Sequence, residues 1–578
     1  MTGDFGVCKF RRLLFVSCAG LATTNLIDLT DVIIAGNVLG ETALTVTNLF
    51  WPCIDFEFFV CTAVAAGTAI LHSRAVGEFN ARRASDLFSN GLILSALTGL
   101  ILSIGMWFLQ GSAVAFYGVT GESLGYLMDY WRVFVIEIAI FPVYVYLNTM
   151  IVSDGDSLVS AFSFTTELCV NAVASYCLCR AYGMSGCALG SVISTLAGIS
   201  VACVHFLRKT NSLSFRWWFS LRDSWTAFVT DLPEASVSLF TAITYAVMNK
   251  MLIVWFGEDI LPVVAAVVTT NGFILFLYGV APAAQPIVNV YLTEGNFWSV
   301  RRVMRAALVT SFSLGALTGL VLAIFPGVVV RLIGITSPEI AVAAGFAIRA
   351  VAYACPFFAL SLLFSAYYLY INRAILSVSL VALQSLALPV LLCIVGTWIG
   401  GQNGFWLGYA AASPLAVGIF FGVLKLICRD KIEAPPWFLD LSRDAYAFAW
   451  TLRTDPQAIC EVSKSVLTKL ETDGASPTTL AKASLLVEDT LMAIRERNGG
   501  RAVLAEVQLD IRSTGASDGR FVARLLLRDD GVVAGADDEN GRPEAAAFRD
   551  EVLSRVQQTL GSCRSRVTTG FNRREFAL

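Results

Sequence analysis

Apolar residues run along this chain in blocks of roughly 20 or more, separated by short stretches that hold most of the basic residues. About twenty helical residues cross the ~30 Å hydrocarbon core of a bilayer with every backbone group bonded internally, so these blocks predict membrane-spanning helices. The predicted spans are 11–36, 48–71, 87–110, 130–152, 158–180, 185–207, 227–256, 261–290, 304–330, 345–371, 374–399 and 403–427. After Lys431 the pattern changes. Pro435 and Pro436 mark a linker, and AKASLLVEDTLMAIRER has the period of an amphipathic helix. VLAEVQLDIR and FVARLLLRDDG alternate like strands, with Val503, Ala505, Val507, Leu509 and Ile511 on one face. The expected fold class is therefore an α-helical polytopic membrane protein, followed by a C-terminal α/β domain.

Composition agrees: 56% of the residues are hydrophobic and 15% charged, a balance that excludes an ordinary water-facing surface. A net charge of -3 is too small to point to a partner, the basic residues form no nucleic-acid stripe and suggest no nucleic-acid role, and the expected partner is the lipid bilayer. Most of the 14 cysteines lie inside apolar runs without paired spacing, as packing residues do. If the helices alternate, one side collects Lys9, Arg11, Arg12, Arg74, Arg82, Arg83, Arg208, Lys209, Arg216, Arg222, Arg301, Arg302, Arg305, Arg373, Lys425, Arg429 and Lys431. The other side holds little more than Arg180 and Arg331. The positive-inside rule makes the first side cytoplasmic and places both termini there, with an uncleaved first helix.

The sequence also repeats itself at a spacing of about 218 residues. GMSGCALG at 183–190 matches GQNGFWLG at 401–408, and ALTGL occurs at 96–100 and 316–320. The basic loops before those copies also correspond, with Phe79 opposite Phe297 and Arg83 opposite Arg301. A parallel repeat of six helices implies two pseudo-symmetric lobes about an axis along the membrane normal, as in transporters. The expected domains are a first lobe at 1–215, a second at 216–430 and a cytoplasmic domain at 431–578.

In residues 10 to 428 the chain resembles the multidrug and toxic compound extrusion (MATE) family of antiporters. The resemblance rests on Asp31, Gly36, Gly40, Ala43 and Leu44 in DVIIAGNVLGETAL, on Asn171 followed by GMSGCALGSVIS, and on APAAQP at 281–286. It implies a cation-coupled exporter of small organic, often cationic, compounds in a bacterial inner membrane, powered by a proton or sodium gradient without an organic cofactor or catalytic residues. It also implies a coupling role for Asp31. Flippases for lipid-linked sugars share the architecture and form one alternative. A membrane-anchored sensor or regulator that signals through its C-terminal domain to a cytoplasmic protein partner forms the other.

Read from the residues alone, Asp28 and Asp31 share a helical face with Thr24, and carboxylates at membrane depth usually face a cavity or a partner. The competing account leaves both solvated near the outer helix end. The repeat partner of Asp31 is the neutral Asn249, so coupling is expected in the first lobe. Asp55, Glu57, Glu137, Asn171, Glu234 and Asn249 are further cavity candidates. Spacing of two puts Asp55 and Glu57 on different faces, and a structural hydrogen bond is the alternative account of these acids. Asp231 and Glu234 flank Pro233, which reads better as a capped helix start than as a cation site.

The C-terminal order of helix, strand, strand and acidic turn is similar to the ATP-binding domain of histidine kinases and anti-sigma factors. Glu488, Asp529 and Gly531 match that family's nucleotide-binding positions. The magnesium-binding asparagine is replaced by Met492, which offers no oxygen to a hard cation, and the second glycine by Val533. These departures predict a degenerate domain that keeps the fold and binds ATP poorly.

Overall fold

The computed structural model describes residues 5–77, 80–208, 211–293, 296–427, 446–513, 521–531, 563–568 and 571–577. Phe79, the linker prolines, Val533 and the side chains of Thr24 and Asp28 lie outside the described residues.

The apolar blocks fold as helices α1 (Phe5–Leu39), α2 (Glu41–Gly77), α3 (Ala81–Tyr117), α4 (Gly121–Ser153) and α5 (Ser157–Ala202). The series continues with α6 (Leu221–Phe256), α7 (Leu261–Ile274), α8 (Val280–Thr293), α9 (Phe297–Ile324), α10 (Pro326–Leu332), α11 (Pro338–Tyr370), α12 (Ala374–Ala382) and α13 (Leu388–Ile427). Two of these stretches are each a pair of crossings. Helix α5 turns at Gly183, at φ 64°, and α13 turns at Gly401, at φ 56°, a left-handed conformation that glycine adopts without a Cβ clash. With α7 and α8 counted as one crossing broken at Leu275–Gly279, α12 joined to the first half of α13 and the seven-residue α10 left out, the described residues make twelve.

The same glycines explain why the repeat is visible in sequence. A Cβ on Gly186 would stand 2.0 Å from the Leu178 carbonyl oxygen, and one on its repeat partner Gly404 would stand 1.9 Å from that of Gly396. Both hairpins depend on backbones in direct contact, which only glycine permits.

One expectation fails at α6. This helix begins ten residues before Asp231, at Leu221, where the Ser220 hydroxyl accepts from the Asp223 amide at 3.3 Å. Pro233 lies inside the helix instead of at its start. A proline in a spanning helix is tolerated where neighbouring helices re-satisfy the freed backbone, so Asp231-Leu232-Pro233 mimics a cap signal without being one.

The C-terminal part contains strand β1 (Tyr446–Arg453), helices α14 (Pro456–Thr472) and α15 (Pro477–Arg497), and strands β2 (Leu504–Ser513), β3 (Phe521–Asp529), β4 (Cys563–Thr568) and β5 (Phe571–Ala577). The strands form one antiparallel sheet in the order β1-β2-β3-β5-β4. Strand alternation puts Leu452, Ala505, Val507, Leu509, Leu525 and Leu527 on the face that packs against Ile459, Val466, Leu486 and Leu491 of the two helices.

Two compact units result. One comprises Val16–Ala281 and Leu308–Ile427. The other joins Met1–Phe15 and Pro282–Ala307 to Cys428–Leu578.

Candidate functional site

Asp31 lies on α1, about two turns before that helix ends. One carboxylate oxygen accepts from the Ser175 hydroxyl at 2.9 Å and the other from the Ser191 hydroxyl at 2.6 Å. Asn171 is a third donor, and its own Oδ1 has no hydrogen-bond partner among the described residues although the residue is buried. Asn171 and Ser175 are one turn apart on the first half of α5, and Ser191 is on its second half. Gly190 allows this approach, because a Cβ there would stand 2.2 Å from the Ser175 hydroxyl. The result is a part-buried carboxylate in a cage of protein oxygens and amide groups, all from the first lobe.

The other acids separate by face. Asp55 acts electrostatically on the hydroxyls of Tyr245 and Tyr409, on α6 and α13, and Asn271 donates to both at 3.1 Å. Glu57, two residues on, is buried in the first lobe, where it and Glu137 both act on Cys61. Glu137 accepts from Thr195 at 3.4 Å, and Thr195 is one turn from the caging Ser191. Glu234 is exposed on α6 and acts on Tyr370. Asn249 is fully buried, accepting from the Asn48 amide at 2.9 Å and donating to its carbonyl at 3.3 Å. The structure thus brings Asp31 and Asn171 together and places Asn249 in a helix–helix contact between α2 and α6.

Sequence reasoning passed over four groups. Ser175 follows Asn171 by one helical turn, a signal that was present. Ser191 lies inside the quoted GMSGCALGSVIS stretch. Glu41 and Glu258 each follow a glycine in the left-handed region, Gly40 at φ 87° and Gly257 at φ 84°, at the repeat spacing. Glu41 accepts from the Thr336 and Ser337 amides at 2.7 Å each, at the start of α11. Glu258 accepts from the Thr120 amide at 3.0 Å, at the start of α4. Each lobe therefore caps a helix of the other, at the end that the arginine distribution assigns to the outside. At the opposite end Arg83 donates to both Asp223 carboxylate oxygens at 2.7 Å.

Residues 17–177 match the family model described as MatE. The chain's fold matches an inward-facing multidrug resistance MATE family transporter of the MOP superfamily, with TM-score 0.62 and 19% identity over 71% of this chain and 96% of that one. A MATE multidrug transporter, DinF-BH, in complex with R6G gives TM-score 0.61 and 18% identity over 74% and 97%. An outward-facing MATE transporter gives 0.57 and 18% over 74% and 99%. No curated protein sequence matches the chain.

In the C-terminal sheet, Asp529 is buried and pairs with Arg497 at 3.4 Å, while accepting from the Gly531 amide at 3.1 Å. The Asn498 side chain fills the space beside Gly531. Glu488 accepts from Ser484 at 3.4 Å, and Met492 packs against the domain's core.

Proposed function

We propose that this MATE-type protein is a cation-coupled antiporter that exports small organic compounds by alternating access between its two lobes. The observation that carries the reading is the Asp31 cage. A carboxylate held by two hydroxyls and an amide has a defined response to a cation. Protonation turns one carboxylate oxygen into a donor that needs an acceptor, a serine oxygen or the Asn171 Oδ1, and a bound metal ion pulls the serine oxygens inward. Either event changes how α1 packs on the two halves of α5, and a ligand shifts a two-state equilibrium only through such differential affinity. The buried, unpartnered Asn171 Oδ1 completes an all-oxygen set suited to a hard monovalent cation and favours sodium.

The substrate class is carried over from the multidrug relatives. Acidic and aromatic groups such as Asp55, Tyr245, Tyr409 and Glu234 suit organic cations. Both termini are taken as cytoplasmic in an inner membrane, on the strength of the basic-residue asymmetry. Asp529, engaged by Arg497, supports a C-terminal domain without tight ATP binding. Inverted vesicles with a cationic dye, tested under sodium and proton gradients imposed separately, test the reading. Flux that ignores both gradients contradicts it, and binding without flux favours the sensor.

A further inference from the structure

The C-terminal sheet has two unlike faces. One carries the apolar residues under α14 and α15. On the other, Thr451, Glu506 and Arg528 are cross-strand neighbours on β1, β2 and β3, with Gln508 two residues along β2. Polar side chains in such a row would face water in a free-standing domain, yet Glu506, Gln508 and Arg528 are wholly buried. Arg528 donates to Glu506 and, at 2.9 Å, to Gln508.

The cover comes from two distant stretches of the same compact unit. From α8, the Tyr291 hydroxyl donates to Glu506 at 3.0 Å, and its ring centroid lies 4.8 Å from the Arg528 guanidinium carbon. Just after α8, Asn296 donates to Gln508 at 2.6 Å. From the start of α1, the Phe5 amide donates to Thr451 at 3.0 Å. Arg12 reaches Asp530 at 2.6 Å, with Lys9 at 4.0 Å. Gly6 lets the two stretches meet, since a Cβ there would stand 2.7 Å from Val303 and 2.9 Å from Tyr291. Burying a charge pair is costly unless geometry and further hydrogen bonds offset the lost water, and here Gln508 and Tyr291 contribute to that offset. Such a face is built for these partners. The two stretches also differ in origin: α1 opens the first lobe and carries Asp31, whereas α8 and α9 belong to the second.

We propose that the polar face of the C-terminal sheet is a docking surface for these two segments of its own chain, a clasp that grips one helix end from each lobe. Lobe movement during transport then requires the clasp to release one of them. Its consequence for flux rests on the two-lobe transport reading; the contact itself does not.

The test uses the full-length protein in proteoliposomes, with Arg12→Cys and Asp530→Cys as one pair and Asn296→Cys and Gln508→Cys as the other. A short, reducible bis-methanethiosulfonate linker joins each pair, and the linked peptides are identified by mass spectrometry. Both pairs should link. Either link alone should leave dye flux within about twofold, whereas both together should lower it at least tenfold, with recovery on reduction. Failure of either pair to link, or full flux with both linked, overturns the clasp. A second readout needs no transport: Asp530→Lys should raise hydrogen exchange of the residue 5–12 backbone about tenfold, and adding Arg12→Asp should reverse it. Unchanged exchange in Asp530→Lys overturns the docking even if the protein proves not to be a transporter.

Discussion

Asp31 and Asn249 stand at equivalent places in the two lobes, 218 residues apart, and their surroundings differ in kind. Asp31 is ionisable, part-buried and caged by Ser175, Ser191 and Asn171 of its own lobe. Asn249 is neutral, fully buried and bonded across to Asn48. Around them the scaffold stays symmetric: Gly183 and Gly401 make the same turn, and Glu41 and Glu258 make reciprocal caps. The repeat has kept what folds the lobes and let the residues at this position diverge; under the proposed coupling, the first lobe is the one that responds to a cation.

Exchanging the two residues tests this contrast most severely. Asn249→Asp places a carboxylate against Asn48 with no cation beside it. It should cost several kcal/mol, on the scale of an uncompensated buried charge, and should appear as a large fall in thermal unfolding temperature in detergent. Asp31→Asn should stay within about 1 kcal/mol of the wild type in the same measurement, because its neighbours can bond an amide. Equal losses would remove the asymmetry.

Ser175→Ala and Ser191→Ala each delete one hydrogen bond to a charged group, worth about 1.5–3 kcal/mol. Each should weaken the dependence of flux on cation concentration by at least tenfold without lowering expression. The cut at the place equivalent to Ser175 in the other lobe, Cys393→Ala on α13, should leave that dependence unchanged.

The two outer caps sharpen the symmetric half of the comparison. Glu41→Gln and Glu258→Gln should each weaken closure by about 1 kcal/mol, the value of one charged cap. Labelling of the native Cys53 by an impermeant thiol reagent should then speed up about fivefold in either variant, and more in the double variant. An effect in one lobe only would show that the caps are not equivalent. The smallest effect is expected from the C-terminal domain as a nucleotide site: calorimetry on the full chain should detect no magnesium-dependent ATP heat. A chain ending at Lys431 should keep basal transport, since it lacks the clasp but retains the cage.

Much of the fold was legible because the membrane imposes a length rule and the repeat imposes a register. The breaks between predicted spans near 180–185 and 399–403 are the glycine turns at Gly183 and Gly401. Pro233 misleads because a proline after an acidic residue signals a helix start in water, whereas a spanning helix houses it internally. Asp55 and Glu57, two residues apart, act on different groups, the Tyr245 and Tyr409 hydroxyls and the Cys61 thiol. What the sequence could not reveal were pairings across long separations: Asp31 with Ser175 and Ser191, Glu41 with Ser337, and Tyr291 with Glu506. Each member is an ordinary polar residue on its own helix or strand, and only the packing makes them neighbours.

The central claim is that a cation acts through Asp31 to drive export. Reconstituted full-length protein and its Asp31→Asn variant, each given a sodium gradient or a proton gradient across the same vesicles, test it directly. The wild type should accumulate cationic dye against its gradient, more strongly under sodium, and the variant should lose nearly all of that accumulation while still binding dye. Gradient-driven accumulation by the variant at the wild-type level would contradict the account.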